Sequence, residues 1–238
     1  MKYFQGFALA FNMMSIIPFF KVHNFFKGIN GYSAMFYPLV GFILGSILYA
    51  FHTSLAGYVP SIHLSVMVFV LWVILTGALH LDGFSDTMDG LFVSKEKALG
   101  VMKDSYVGGM GMIFSVVFLA FKLSSVIYFE AFYLLPIILM FARLNATLAI
   151  YFYDYISSGV GSLIKEELTL LHLAFSVGFT LFISYFFSFM IGFFISLITL
   201  FFIARFFVKR YGGLNGDIYG LVVEVSELVL LNYLILTL

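Results

Sequence analysis

Residues 64–90 read LSVMVFVLWVILTGALHLDGFSDTMDG, an apolar run that leads directly into Asp82, Asp86 and Asp89. A helix needs roughly 20 apolar residues to cross a bilayer core, so the run is read as a span near 62–81 whose end delivers three carboxylates to the membrane edge. The rest of the chain has the same character. Of its 238 residues, 63% are hydrophobic and 10% charged, against roughly 45–50% and about 25% in a soluble domain. The composition predicts an all-α, polytopic integral membrane bundle, one domain over residues 1–238. Further spans are expected near 34–51, 108–128, 132–152, 172–188, 189–207 and 217–238, making about seven. The stretch 172–207 is too long for one crossing and is divided at Ser184 to Ser188. The N-terminal stretch YFQGFALAFNMMSIIPFF, closed by Pro18, has no small-residue cleavage site after it and is read as an interfacial or partly inserted helix.

Charge and residue usage exclude several classes. The formal net charge is zero and the basic residues are dispersed, which leaves no nucleic-acid footprint. Without cysteine there is no disulfide, thiol nucleophile or zinc–thiolate site. The histidines have no metal-ligand spacing. Short cytoplasmic loops are enriched in lysine and arginine. With the first segment inside, that side receives Lys2, Lys21, Lys27, Lys95, Lys97, Lys103, Lys165, Lys209 and Arg210, with Arg205 at a helix end, and the opposite loops receive none. The aspartates, the 153–171 loop and the GGLNGD turn at 212–217 are thus expected to share the cytoplasmic face.

If 82–90 is helical, Asp82, Asp86 and Asp89 lie at i, i+4 and i+7 on one face, with neighbouring Cβ atoms about 5–6 Å apart. Like charges at that distance repel by a few kcal/mol at an effective dielectric near 20. A hard divalent cation offsets this, and Mg²⁺ takes one or two carboxylates and completes its shell with water and substrate phosphates. The pattern therefore predicts a metal–diphosphate site. The competing reading is a solvated helix start whose acidic residues favour the dipole.

Other polar features share that face. VSKEKALGVMKDSYVGGMG carries Lys95, Lys97, Lys103 and Asp104, then Gly108, Gly109 and Gly111 at a helix start; free N–H groups there bind phosphate, and glycine admits a ligand to the backbone. Glycines in such a place equally suit tight helix packing. YGGLNGDIYGLVVEVSE sets Asp217 seven residues before Glu224, with Glu227 one turn on. Ionisable groups inside a span are costly, about 2.5–3.5 kcal/mol on insertion scales, and usually have partners. Lys122 is expected to pair with Glu227 or Glu224. Arg143 is open between such a pair and a bidentate phosphate clamp.

TGALHLDGFSDTMDGLF, MKDSYVGGMG and GGLNGDIYGLVVEVSE, preceded by MFYPLVGFILG, together resemble the adenosylcobinamide-GDP ribazoletransferase family, also called cobalamin synthase. The matches keep their order and span nearly the whole chain. The resemblance implies a Mg²⁺-dependent membrane enzyme that joins adenosylcobinamide-GDP to α-ribazole or its 5′-phosphate and releases GMP. It implies Asp82, Asp86, Asp89, Asp217 and Glu224 as metal ligands. Asp89, Asp86 or His80 would take the proton of the attacking ribose hydroxyl. Lys103, Asp104, Gly108, Gly111, Arg143 and Asn215 are the candidate substrate contacts. Two features depart from the family pattern: Tyr106 replaces an arginine, and Met14 and Ser15 stand where a Thr-Arg pair is usual. If those arginines bind phosphate, this chain lacks two ligands. A phospholipid-forming CDP-alcohol phosphotransferase would need alanine and arginine at Ser85 and Asp86. A cation transporter would use Lys122, Glu224 and Glu227 at the midplane, yet the richest acidic cluster is at the edge. The expected partners are the bilayer and the two small molecules, with a homo-oligomer left open.

Overall fold

A computed structural model describes every residue except Pro18, Asn24, Ser105 and Leu238; the proline that closes the N-terminal stretch lies outside the described residues. Among the described residues twelve α-helices follow one another: α1 Lys2–Met14, α2 Ile29–Met35, α3 Tyr37–Leu55, α4 Ser61–Thr76, α5 Leu79–Leu91, α6 Lys95–Met102, α7 Gly109–Tyr128, α8 Leu135–Phe152, α9 Val160–Glu167, α10 Leu170–Phe186, α11 Met190–Tyr211 and α12 Gly216–Thr237. Five of these helices are long and apolar enough to cross a membrane, and counting each of the bent pairs α4–α5 and α9–α10 as one span gives up to seven, against the seven expected from hydropathy.

The centre is α8. Its sequence LPIILMFARLNATLAIYF is apolar except at Arg143, Asn145 and Thr147, and each residue from Leu135 to Ile150 is buried; a helix that is mostly apolar all round is an enclosed one. Gly41 and Gly45 of α3 let it in closely. A methyl at Gly45 would lie 2.5 Å from the Leu135 carbonyl oxygen, and one at Gly41 would strike the Leu139 carbonyl. This is small-residue packing at four-residue spacing, which serves membrane helices because lipid tails give apolar side chains no incentive to associate.

Two expectations change. The run 62–81 is not one straight span: α4 stops at Thr76, Gly77 and Ala78 take left-handed angles (φ 60° and 54°), and α5 leaves at 82° to α4. Two successive left-handed residues reverse the chain without a loop, and for alanine this costs about 1–2 kcal/mol. The 153–171 loop contains α9, set at 92° to α10. The division of 172–207 falls where expected, between Phe186 and Met190, with Ser188 left-handed at φ 52°.

The segments that the distribution of basic residues grouped together do meet one another. The Ile156 N–H donates to the Leu214 carbonyl at 2.9 Å, the Arg210 guanidinium donates to the Leu91 carbonyl at 3.0 Å, and Lys103 Nζ reaches Ser158 Oγ at 3.3 Å.

Candidate active site

The bend at Gly77–Ala78 points α5 across the end of the bundle and against α12. The two helices touch where neither has a side chain. A methyl at Gly83 would come 2.8 Å from the Asp217 carbonyl oxygen, and one at Gly220 2.8 Å from the His80 carbonyl oxygen. That crossing sets Asp82 beside Asp217. The carboxylates of Asp82, Asp217 and Asp89 act in that order on Asp86, so Asp217 joins the cluster that the sequence located on α5. Asp82 is exposed and Asp86 and Asp217 are half-buried. Among the described residues every salt bridge is made elsewhere. Lys103 is the basic residue whose charge acts on Asp217.

Asp89 has a different setting. It is buried, and its two oxygens accept the Gly108 and Gly111 N–H groups, each at 2.7 Å. The N–H groups that the sequence reading offered to phosphate thus hold the Asp89 carboxylate at the start of α7, where the helix dipole also favours it. Gly108 and Gly111 are needed because a Cβ at either would collide with that carboxylate. Asp104 is exposed and its Oδ1 accepts the Tyr106 N–H at 3.3 Å. Asp104, Tyr106, Gly108 and Asp89 border an open cleft of about 540 Å³. Asp89 is thus set apart from Asp82, Asp86 and Asp217: it is buried rather than solvated and caps α7 rather than its own helix.

Three further assignments are corrected. Arg143 is fully buried and paired with Glu227, so it is no clamp at the cluster. Glu224 pairs with Lys122 at 2.6 Å rather than joining Asp217, and Lys122 also reaches Glu227 at 2.5 Å and lies 4.6 Å from the Trp72 ring centroid. Two cations and two carboxylates therefore neutralise one another within the bundle, linking α7, α8 and α12, as burial of charge requires. Asn215 is buried with its amide committed. Its Nδ2 donates to Asp217 Oδ2 at 2.8 Å and its Oδ1 accepts the Ile218 N–H at 2.9 Å. It caps α12 and aims Asp217.

Below Asp82 and Asp217 lies a cavity of about 280 Å³ whose walls come from α1, α3, α5, α8, α9 and α12 and include His80, Tyr219 and Met14. Sequence reading passed over Tyr219 and Tyr155. They stack at 6.1 Å between centroids, and burial, then the Asp217 carboxylate, raise the Tyr155 phenol above its usual range. Tyr219 stands inside a quoted motif, but its value depends on a cavity that spacing alone does not reveal.

Among the described residues no three Asp, Glu or His side chains already close around a single ion. The donor chemistry at Asp82, Asp86 and Asp217 nonetheless fits a hard cation, being oxygen only, partly open to solvent and free of salt bridges. Mg²⁺ does not demand a closed protein cage, since waters and substrate phosphates supply much of its shell.

Residues 6–235 match the family described as cobalamin-5-phosphate synthase. An adenosylcobinamide-GDP ribazoletransferase of Acinetobacter baumannii is 32% identical over 213 residues, 85% of either chain. One from Syntrophobacter fumaroxidans is 32% identical over 237 residues, 95% of this chain and 96% of its own, and one from Thermosynechococcus vestitus is 34% identical over 213 residues, 84% of each. No solved structure matches the chain. A match that covers nearly every helix, the acidic end included, has one consequence: the chain belongs to the cobalamin-5-phosphate synthase family.

Proposed function

We propose that the chain joins adenosylcobinamide-GDP to α-ribazole or its 5′-phosphate, releasing GMP, and that it does so with Mg²⁺ from the cytoplasmic face of a prokaryotic inner membrane. The observation that carries this reading is the open cluster of Asp82, Asp86 and Asp217, without a salt bridge and set directly over a cavity. A carboxylate group of this kind is unfavourable alone and favourable once a cation and a diphosphate occupy it. The basic residues at the ends of α1, α6, α9 and α11 support a cytoplasmic orientation for this end.

The reaction is a displacement at phosphorus. The ribose 3′-hydroxyl of the acceptor forms a P–O bond to the phosphorus that carries cobinamide, the bond to the bridging oxygen breaks, and GMP departs with that oxygen. Asp82 and Asp217 would hold Mg²⁺, which would supply charge neutralisation at the diphosphate. Lys103 adds positive charge on the same side. The hydroxyl proton passes to the Asp86 carboxylate, which stands half-buried one turn along α5 from Asp82. Asp89, with both oxygens committed to α7, fixes the position of α5 relative to that helix.

The test is direct. Purified protein, adenosylcobinamide-GDP, α-ribazole and Mg²⁺ should yield GMP and a cobamide in equal amounts. Chelation should stop the reaction, Mg²⁺ or Mn²⁺ should restore it, and Ca²⁺ should restore it poorly. Undiminished GMP release after chelation would remove the metal from the mechanism.

A further inference from the structure

A recess lies on either side of the acidic cluster. The α5 wall of the cavity ends at Gly83, and the α5 wall of the open cleft of about 540 Å³ begins at Asp89. Those residues are six apart on the helix, roughly 9 Å along its axis, with Asp86 between them. Two side chains of the cleft take no part in the displacement at phosphorus. Tyr106 is 83% exposed. Asp104 is exposed as well, and every salt bridge among the described residues is made elsewhere. Asp104 Oδ1 accepts the Tyr106 N–H at 3.3 Å, so carboxylate and ring share one rim of the cleft. Val101, Met110 and Ile113 give the cleft apolar walls.

A carboxylate beside the path of an anionic substrate repels it unless it faces donors. An ionised carboxylate accepts only, at two oxygens with about four lone-pair positions, so Asp104 keeps room for two more N–H groups beside that of Tyr106. Guanine presents such a pair, N1–H and the 2-amino group, side by side on one edge. Adenine, cytosine and uracil each set a donor next to an acceptor there, and the base of α-ribazole has no N–H once it is joined to its ribose. The flat face of guanine also suits an exposed aromatic ring. Because the cleft is open, the rest of the guanine edge stays hydrated and escapes the cost of burying unpaired polar groups.

Resting on the proposed function, we propose that this cleft holds the guanine of adenosylcobinamide-GDP, with Asp104 accepting from N1–H and the 2-amino group and Tyr106 stacking on the ring. The diphosphate then runs along α5 from the cleft toward Asp86 and the cluster. Stacking tolerates any base, because every base has a π-face, whereas hydrogen bonds to a carboxylate are charge-assisted and directional. Tyr106 therefore holds the nucleotide and Asp104 determines which nucleotide is accepted.

Equilibrium dialysis of the purified full-length protein with Mg²⁺ and labelled GDP tests the assignment, with inosine 5′-diphosphate, which lacks only the 2-amino group, as competitor. The wild type should bind GDP about tenfold more tightly than the inosine nucleotide, the factor that loss of one net hydrogen bond gives. Asp104→Asn should bring that preference to within about twofold. Tyr106→Ala should weaken both nucleotides about tenfold and keep the preference. Both side chains are exposed, so both variants should fold as the wild type does. With GMP release as the assay, each should raise KM for adenosylcobinamide-GDP and leave KM for α-ribazole within about twofold, the sign of binding lost for one substrate alone. An undiminished GDP preference in Asp104→Asn overturns the assignment, and so does a raised Mg²⁺ requirement in that variant, which would make Asp104 a metal ligand. GMP release by a wild type that does not discriminate between the two nucleotides overturns the assignment and leaves the proposed reaction standing. A wild type that prefers GDP through Asp104 but releases no GMP refutes the reaction and supports the guanine site.

Discussion

Asp86 and Asp89 are one helical turn apart on α5, yet replacing each by asparagine should have opposite effects on stability. The Asp89 carboxylate accepts two backbone N–H groups at 2.7 Å. Hydrogen bonds to a charged group contribute about 1.5–3 kcal/mol each, and an orphaned buried donor costs about 1–3 kcal/mol. Asparagine keeps one acceptor oxygen and turns an NH₂ toward the other N–H, so Asp89→Asn should cost roughly 2–4 kcal/mol. Asp86 has the reverse situation. Its neighbour Asp82 is about 6 Å away by helical geometry, and a like-charge pair at that distance repels by about 3 kcal/mol at a dielectric of 20 and about 0.7 in water. With Asp82 exposed, relief of about 1 kcal/mol is expected. Thermal unfolding in one detergent–lipid mixture, followed by tryptophan fluorescence, reads the first effect; GMP release at matched folded protein reads the second. Asp89→Asn should melt several degrees lower. Asp86→Asn should melt at or above wild type and lose at least about 10²-fold in turnover, the scale of one preorganised electrostatic contact. Asp86→Asn melting clearly below wild type, or Asp89→Asn melting with it, would refute this division of roles.

Glu227 holds both Lys122 and Arg143 inside the bundle; Glu227→Gln leaves a buried cation without its partner and should cost about 3–5 kcal/mol, seen as loss of the monodisperse peak in fluorescence-detected chromatography. Ala78 is left-handed at φ 54°, so Ala78→Gly removes about 1–2 kcal/mol of strain against up to about 1 kcal/mol of added unfolded-state entropy; a melting point unchanged or slightly raised is expected, and a fall of several degrees would contradict the bend. Single cysteines at Ser94 and Asn215 should be modified from the cytoplasm, Asn215 only after partial unfolding because it is buried, and one at Gly57 from outside; labelling of Ser94 and Gly57 from one side would overturn the orientation.

Hydropathy alone determined that the chain is a membrane bundle, roughly where each crossing runs, and that the aspartates stand at an edge. Lipid imposes those results residue by residue, since every span must be apolar and every exposed charge must reach water. The i, i+4, i+7 spacing also held, because α5 is a helix. What the aspartates do was not contained in their spacing. Only the crossing of α5 and α12 at Gly83 and Gly220 brings Asp217 into the cluster, and only the approach of α7 turns Asp89 into a cap. Gly41 and Gly45 stand inside the quoted MFYPLVGFILG, but nothing in that stretch names their partner, the backbone of α8. The same limit applies to charge: sequence shows that Lys122, Arg143, Glu224 and Glu227 are costly in a membrane, and tertiary packing decides that they neutralise one another. Local periodicity depends on neighbours in the chain, whereas a site is made by contacts between helices far apart in it, and those are set by where glycines permit two backbones to meet.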